Sequence, residues 1–250
     1  MNAPSRQNLT HWHDRVDLAA SFRWTARLGM HESVANHFSL AVNADGSQFL
    51  MNPNQKHFSR IKASDMLLID AHDPATFTGP NAPDQTAWGL HGALHRLVPH
   101  ARCAMHVHSI FATVLASLAD SRLPAIDQNT AIFHDRMVID DRYGGFAFEQ
   151  EGVRCAALFA DPKKKVMVMG NHGVLVIGAT VAETFNRMYY FERAAETYIR
   201  AMQTGLPLRV LSDGIAEKVA VETETYAGFD VNHLNELKAI LDEDGSNYAS

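Results

Sequence analysis

The chain has 250 residues and a net charge of -6, and its 46% hydrophobic and 20% charged residues are the balance of an ordinary globular protein. The acidic balance argues against nucleic-acid binding, which favours a basic surface, and no apolar run approaches the roughly 20 residues that span a bilayer. The N-terminal segment 1–14 lacks the apolar stretch of a signal peptide. We therefore expect a cytoplasmic protein without membrane or nucleic-acid partners.

The N-terminal part of the chain predicts a long helix followed by a β-hairpin. Apolar residues at helical spacing predict the helix over residues 14–30. Two short apolar runs, 38–42 and 49–51, flank the segment 43–46, which ends in an Asp-Gly pair typical of a hairpin turn.

The remaining pattern mixes strands and helices. In chain order it predicts a strand at 66–69, a loop at 72–83, a helix at 84–97, a strand at 103–108, a helix at 110–118, a mixed segment at 123–148 with a strand around 137–139, a helix at 151–159, strands at 166–169 and 174–177, and a helix at 180–203. Because the early strands form a hairpin instead of alternating with helices, we expect a three-layer α/β/α sandwich with a mainly antiparallel central sheet.

No repeat or linker interrupts this pattern. It predicts a single domain over residues 1–250, with a core at about 14–205 and a C-terminal extension at 206–250 that is helical in part. The extension is compatible with packing on its own subunit or on a neighbouring one. The only two cysteines, Cys103 and Cys155, form no C-x-x-C pair, so neither a disulfide framework nor a cysteine zinc site is indicated.

Histidine is the unusual residue type in the composition, with 14 copies. His106 and His108 are two apart on a predicted strand, so their side chains share one face. His172 lies in a glycine-flanked turn between two predicted strands. Three such imidazoles with open positions are typical of a catalytic divalent-metal site. The same residues are also compatible with a polar strand face and a solvated hairpin turn.

Two of these segments resemble a known family. The segment 105–109 followed by a helix, and the segment 171–178 followed by a long helix containing Glu183, are similar to the class II aldolase/adducin family, and the resemblance extends over about residues 18–203. That family includes sugar-phosphate aldolases, an epimerase, decarboxylases and the head domain of adducin.

The resemblance implies the family's fold and a small-molecule substrate. It also implies a divalent metal held by His106, His108 and His172, with Zn²⁺ favoured over Mn²⁺ or Fe²⁺. Family members are usually homo-oligomers, with the tetramer favoured, and their active sites lie at subunit interfaces.

The chain departs from the family at the acid–base position. Family aldolases carry a glutamate about 19 residues before the first strand histidine, where this chain has Ala87. The phosphate-binding Thr-Gly and Ser-Ser pairs of the family are replaced by 54–55 (Asn-Gln) and 85–86 (Gln-Thr). Because backbone amides approach a phosphate closely where no side chain intervenes, a standard sugar-phosphate aldolase is not expected.

Another residue must then move protons. His91 and His95 are catalytic candidates because they share one face of the predicted helix at i, i+4 spacing. The structural alternative is that His91 fills a gap under the strand and that His95 is a surface residue. His134 is a further catalytic candidate because adducin-like members also have histidine there, and His37 is a weaker one.

Three functions remain compatible with these residues. The first is a metal-dependent carbon–carbon lyase that performs retro-aldol cleavage or decarboxylation of a small hydroxy or oxo acid or a sugar derivative. The second is a catalytically silent, adducin-like domain for binding or assembly. The third is a metal-dependent oxygenase.

Overall fold

The computed structural model describes residues 9–78, 82–142 and 149–250. The helices in these ranges are α1 (Trp12–Arg27), α2 (Gln85–Leu97), α3 (Ile110–Ala116), α4 (Gln128–Ala131), α5 (Glu149–Leu158), α6 (Val181–Gln203), α7 (Asp213–Thr225) and α8 (Phe229–Glu243). The strands are β1 (His37–Ala41), β2 (Gln48–Met51), β3 (Leu67–Asp70), β4 (Cys103–Val107), β5 (Met137–Asp140), β6 (Val166–Met169) and β7 (Gly173–Gly178). Short 3-10 turns cover Phe58–Arg60, Ala63–Asp65 and Pro74–Phe77.

These elements confirm the predicted order of helices and strands. The predicted hairpin is the antiparallel pair β1–β2, in which Leu40 lies opposite Leu50. Some predictions lie outside the described residues: positions 1–8 of the N-terminal segment, 79–81 of the loop at 72–83, and 143–148 of the mixed segment at 123–148.

The strands form one seven-stranded sheet in the order β3-β2-β1-β4-β7-β6-β5. All neighbouring pairs are antiparallel except β5 and β6, which run parallel. The predicted mainly antiparallel sheet is therefore confirmed. The β1–β4–β7 order matters for the site, because the end of β4 lies beside both the start of β1 and the start of β7.

Alternating side chains on the strands contact two different helix layers. On β4, Met105 and Val107 join the core formed with α1, α3, α6 and α8. Ala104 joins the smaller core formed with α2 and α5, and the period of two places His106 on this same face. The sheet therefore separates two helix layers, as a three-layer α/β/α sandwich requires.

The C-terminal extension packs on its own chain. Leu234, Leu237 and Leu241 of α8 are buried in the larger core, and the indole N–H of Trp24 in α1 donates to the Leu237 carbonyl at 2.8 Å. The structure thus places α8 on the subunit that carries it.

Among the helices of the described ranges, none combines the length and apolar character needed to cross a bilayer.

Candidate metal centre

The three histidines predicted as ligands lie together at one end of the central strands. The ring centroids of His106 and His108 are 4.8 Å apart, those of His106 and His172 are 4.8 Å apart, and those of His108 and His172 are 4.7 Å apart. One ring nitrogen from each residue lies within 4.8 Å of the others. Convergence of three imidazoles in this way is the pattern of a catalytic metal site with open positions.

The sheet register produces this convergence. Val107 of β4 pairs with Val174 of β7, so the turn that carries His172 reaches the end of β4. Gly173 permits the close approach, because a Cβ there would lie 2.6 Å from the Val107 carbonyl oxygen and 2.8 Å from Cδ2 of His108. The glycine after His172 is therefore a steric requirement of the histidine cluster.

The chemical state of the three rings suits a divalent cation. Nδ1 of His106 donates to the Val174 carbonyl at 3.0 Å, which leaves Nε2 as the ligating atom, 2.9 Å from Nε2 of His108. Burial, reinforced by neighbouring histidines, holds the pKa of His106 well below its ordinary value. Burial also lowers the pKa of His172 to about 4. Neutral imidazole is the form that binds metal, so this donor set fits a divalent ion.

The histidines line a cavity of about 400 Å³. Asn36 also lines it and is only 2% exposed. Its Oδ1 accepts from the backbone N–H of Glu32 at 2.7 Å and of His108 at 3.3 Å. Its Nδ2 is buried and has no partner among the described residues. An amide donor in this position favours a ligand with an acceptor oxygen.

Ala87, which the family resemblance aligns with the aldolase glutamate, also faces this cavity. Ala87, in the first turn of α2, lines the cavity and is 1% exposed. Three residues earlier, Asp84 caps the helix and brings a carboxylate to the same cavity. Burial opposes ionisation of Asp84, but hydrogen bonds from Thr86 and from the Ala87 amide outweigh it, so the Asp84 pKa lies below its ordinary value.

The segments that the resemblance aligns with the family's phosphate-binding pairs contribute to the cavity as well. Asn54, Gln55 and Thr86 line it. Gln55, which the resemblance aligns with a family glycine, has a left-handed backbone with φ of 57°. The backbone conformation that suits glycine is therefore present, but a carboxamide side chain accompanies it.

Behind the cavity, α2 and β1 contribute a buried chain of polar groups. Nδ1 of His37 lies 2.7 Å from Nε2 of His91, and the Ser39 hydroxyl contacts Nδ1 of His91 and lies 2.7 Å from Nε2 of His95. Nδ1 of His95 donates to the Ala101 carbonyl at 2.7 Å. Only His37 among the three histidines lines the cavity, where its ring stacks on His106 with centroids 4.9 Å apart.

The two helix histidines thus lie one layer behind the cavity. The predicted structural alternative for His91, a buried position under the strand, matches its 0% exposure. The corresponding alternative for His95, a surface position, is wrong, because His95 is 4% exposed. Burial lowers the pKa of His95 to about 4 and that of His37 to about 3.

His134 is not brought to the cavity. It lies before β5, in a separate groove that Asp120 and Tyr198 also line. The parallel register pairs Met137 with Val166 and Asp140 with Met169, so His134 and His172 lie at opposite ends of β6.

A second group of possible metal ligands is occupied by an arginine side chain. Asp140, Glu151 and Cys155 lie close enough together to hold an ion. The Arg154 guanidinium bonds both oxygens of Asp140, at 2.7 and 2.6 Å. Burial raises the pKa of the Cys155 thiol to about 12, so it stays protonated. This cluster is an ion-pair network.

A larger groove of about 680 Å³ lies near α6 and α7. Among the cations that line it, Arg136 is paired with Glu224 at 3.0 Å, Arg187 with Glu183 at 2.5 Å and Lys163 with Glu217 at 3.1 Å. It contains none of the three clustered histidines. The smaller cavity is therefore the better candidate for chemistry, because uncommitted donor atoms converge there.

Sequence reasoning missed Asn36, Ser39 and Asp84 as parts of this region. Asp84 carried a signal, because an Asp before a helix is a typical N-cap and the helix was the one that lacks the glutamate. Asn36 and Ser39 carried none, because their roles depend on which residues face them across the sheet.

Comparison with known proteins finds relatives that cover most of this chain. Residues 16–199 match the family model described as the class II aldolase and adducin N-terminal domain. A Caulobacter vibrioides protein named for the aldolase class 2 family is 29% identical over 206 residues, which are 82% of this chain and 79% of the relative. Alpha-adducin of Rattus norvegicus is 25% identical over 194 residues, which are 75% of this chain and 25% of that adducin.

Solved structures share the fold. An aldolase II superfamily protein from Pseudomonas syringae superposes with a TM-score of 0.85 at 25% identity, over 98% of this chain and 99% of that one. An L-fuculose 1-phosphate aldolase from Glaciozyma antarctica superposes with a TM-score of 0.79 at 19% identity, over 99% and 96% of the two chains. The chain belongs to the family of class II aldolases and adducin N-terminal domains.

Proposed function

We propose that the chain is a metal-dependent carbon–carbon lyase that performs retro-aldol cleavage or decarboxylation. The observation that carries this proposal is the convergence of His106, His108 and His172 on a cavity of about 400 Å³. These residues would hold the ion, and zinc is favoured because imidazole nitrogens are among its preferred ligands. A bound divalent cation supplies Lewis-acid stabilisation of negative charge beside a carbonyl, which both reactions need.

The lining favours a small substrate without a phosphate group. None of the described residues that line the cavity is lysine or arginine. The lining also includes three carboxamide residues, Asn52, Asn54 and Gln55. These groups suit hydroxyl, carbonyl or carboxylate oxygens. We therefore favour a hydroxy or oxo acid, or an unphosphorylated sugar derivative, as the substrate.

The proton-handling groups differ from those of the family aldolases. Ala87 cannot move a proton, so we assign proton transfer to His37 and Asp84, which both line the cavity. In this proposal His91 and His95 act through His37, and His134 takes no part. By family resemblance we also propose a homo-oligomer, with a tetramer favoured.

Metal content is the first test. We expect elemental mass spectrometry of the purified, zinc-loaded protein to find about one equivalent of metal, and His172→Ala to lose most of it because two imidazoles bind far more weakly than three. His134→Ala is the matched control and should keep the metal, since that residue lies in another groove. Equal metal content in wild type and His172→Ala would contradict the three-histidine site.

Activity is tested separately, with metal-loaded protein and a panel of hydroxy acids, oxo acids and unphosphorylated or phosphorylated sugars. Cleavage or decarboxylation of an unphosphorylated member is the expected result. Turnover of sugar phosphates alone would contradict the proposed substrate class, and no turnover at all would contradict the lyase.

A second candidate function is binding or assembly without catalysis. Ala87 favours it, because the family's acid–base group is absent from a cavity that is otherwise in place, and adducins are among the relatives. A metal-loaded protein that turns over no member of the panel would favour this second function.

A further inference from the structure

We propose that the buried polar chain fixes His37 as a hydrogen-bond acceptor in the cavity and thereby selects ligands that carry a hydroxyl group. The chain runs from the Ala101 carbonyl through His95, Ser39 and His91 to His37. Starting at the Ala101 carbonyl, the donor and the acceptor of each hydrogen bond follow from those of the bond before it. The assignment of a ligand to this cavity rests on the proposed function, whereas the bond directions do not.

The inner end of the chain is unambiguous. A carbonyl oxygen only accepts hydrogen bonds, so Nδ1 of His95 carries the proton that bridges the 2.7 Å to Ala101. Burial lowers the pKa of His95 to about 4, and at neutral pH this ring holds a single proton. Its Nε2 is therefore an acceptor.

The next two hydrogen bonds along the chain run in the same direction. The Ser39 hydroxyl has one proton, which it donates to Nε2 of His95 at 2.7 Å. Its oxygen then accepts from Nδ1 of His91, the other partner that it contacts. His91 is 0% exposed and burial lowers its pKa well below the ordinary value, so its Nε2 carries no proton and accepts in turn.

His37 is the outer end of the chain. Its Nδ1 must donate to Nε2 of His91 at 2.7 Å, which leaves Nε2 as the ring nitrogen available to the cavity that His37 lines. An unprotonated nitrogen accepts from a hydroxyl but cannot donate to a carbonyl or carboxylate oxygen.

The neighbouring groups complete the recognition pattern. Asn36 lines the same cavity, and its Nδ2 is a buried donor without a partner among the described residues. A ligand that carries both a hydroxyl and an acceptor oxygen matches His37 and Asn36 together. Within the proposed substrates, this favours 2-hydroxy acids and polyols over simple oxo acids. His37 is then a specificity-determining residue, and His91, Ser39 and His95 are positioning residues.

The bond directions are tested by nitrogen NMR of the ¹⁵N-histidine-labelled full chain, with resonances assigned from the single variants His37→Gln, His91→Gln and His95→Gln. We expect all three rings in the Nδ1–H tautomer. An Nε2–H tautomer at any of them would overturn the proposal.

Ser39 variants test the connection itself. Ser39→Ala should release the fixed tautomers of His91 and His37, whereas Ser39→Thr should retain them because the hydroxyl is kept. Ser21→Ala is the matched control, since Ser21 is equally buried but its hydroxyl bonds the Asp17 carbonyl within α1. Unchanged His91 and His37 resonances in Ser39→Ala would overturn the proposal.

The ligand preference is tested with glycolate and acetate, which differ in one hydroxyl, on the zinc-loaded protein. We expect glycolate to bind more tightly in calorimetry and to shift the Nε2 resonance of His37, and acetate to leave that resonance unchanged. No glycolate binding, or binding without that shift, would overturn the hydroxyl assignment. Metal content of the same samples separates the two proposals, since the tautomers do not require zinc.

Discussion

Buried histidines of α2 and β1 meet in one layer beside the sheet. Their burial and their hydrogen-bond partners determine which ring nitrogen carries a proton. His91 and His95 are separated by one helical turn, so both point from α2 toward the sheet. His37 and Ser39 alternate with Phe38 and Leu40 along β1, and they occupy the face opposite the larger core. The four polar residues therefore meet in one layer, where each finds a partner.

Burial of neutral histidine makes stability depend on pH. The pKa of His95 is about 4 in the folded chain, against 6.5 ordinarily. Between these values the unfolded chain binds a proton that the folded chain does not, so stability falls as pH decreases from 6.5 toward 4. The contribution of one such residue is about 1.4 kcal/mol per pH unit.

We expect His95→Gln to reduce the pH dependence of the free energy of unfolding by about 1.4 kcal/mol per pH unit, the contribution of one titrating proton. The measurement is urea unfolding of chelator-treated protein between pH 6.5 and 4. His72→Gln, at an exposed position, is the control and should keep the wild-type slope. Equal slopes for His95→Gln and wild type would show that His95 titrates normally in the folded chain.

At the scale of elements, α2 is held against the sheet by a close crossing with α5. A Cβ on Gly152 would lie 2.2 Å from the Gly89 carbonyl oxygen and 3.0 Å from the Ala93 Cβ. The two helix backbones therefore touch, and this contact fixes the depth at which α2 presents Ala87 and His91. The sequence contains both glycines but does not show that they oppose each other.

Gly152→Ala should force the two helices apart and lower the free energy of unfolding by about 1–3 kcal/mol, the usual range for overpacking. The matched control is Gly214→Ala in α7, where an added Cβ meets no atom within 4 Å. The control should leave stability unchanged or raise it by up to about 1 kcal/mol, because alanine favours helix. Urea unfolding at neutral pH compares the two, and equal stabilities would contradict the close crossing.

For the whole molecule, the C-terminal extension is tied to the first helix. Besides the Trp24–Leu237 bond, Nζ of Lys238 lies 2.7 Å from Oδ1 of Asp17, and the Ala63 amide donates to the Tyr248 carbonyl at 2.7 Å. These contacts join the ends of the described chain. We propose that residues 206–250 unfold together with the core as one domain.

Deletion of residues 229–250 tests this. Removal of α8 exposes apolar side chains of α1 and α6 that pack against Leu234 and Leu241, so we expect a clear decrease in the thermal midpoint by circular dichroism. A deletion of 246–250 alone serves as the milder comparison. An unchanged midpoint after loss of α8 would mean that the extension is an independent appendage.

Sequence alone determined the local features of this protein. Periods of two and 3.6 residues predicted the strands and helices. The His-x-His spacing predicted that His106 and His108 lie close together, although β4 ends at Val107 and His108 is the residue after it. Family resemblance then supported the sandwich and the third histidine, which the strand pattern and the glycine-flanked turn had already indicated. The resemblance also predicted that Ala87 stands where family aldolases carry a glutamate.

Tertiary structure decided which of the remaining polar residues reach the cavity. His95 was compatible with a surface position until the packing of α2 on the sheet buried it. His134 does not reach the other histidines because it precedes the start of β5, at the opposite end of β6 from His172. Asn36 and Asp84 became part of the site through strand register and a helix cap. Burial and partner choice depend on residues distant in sequence, so local patterns do not determine them.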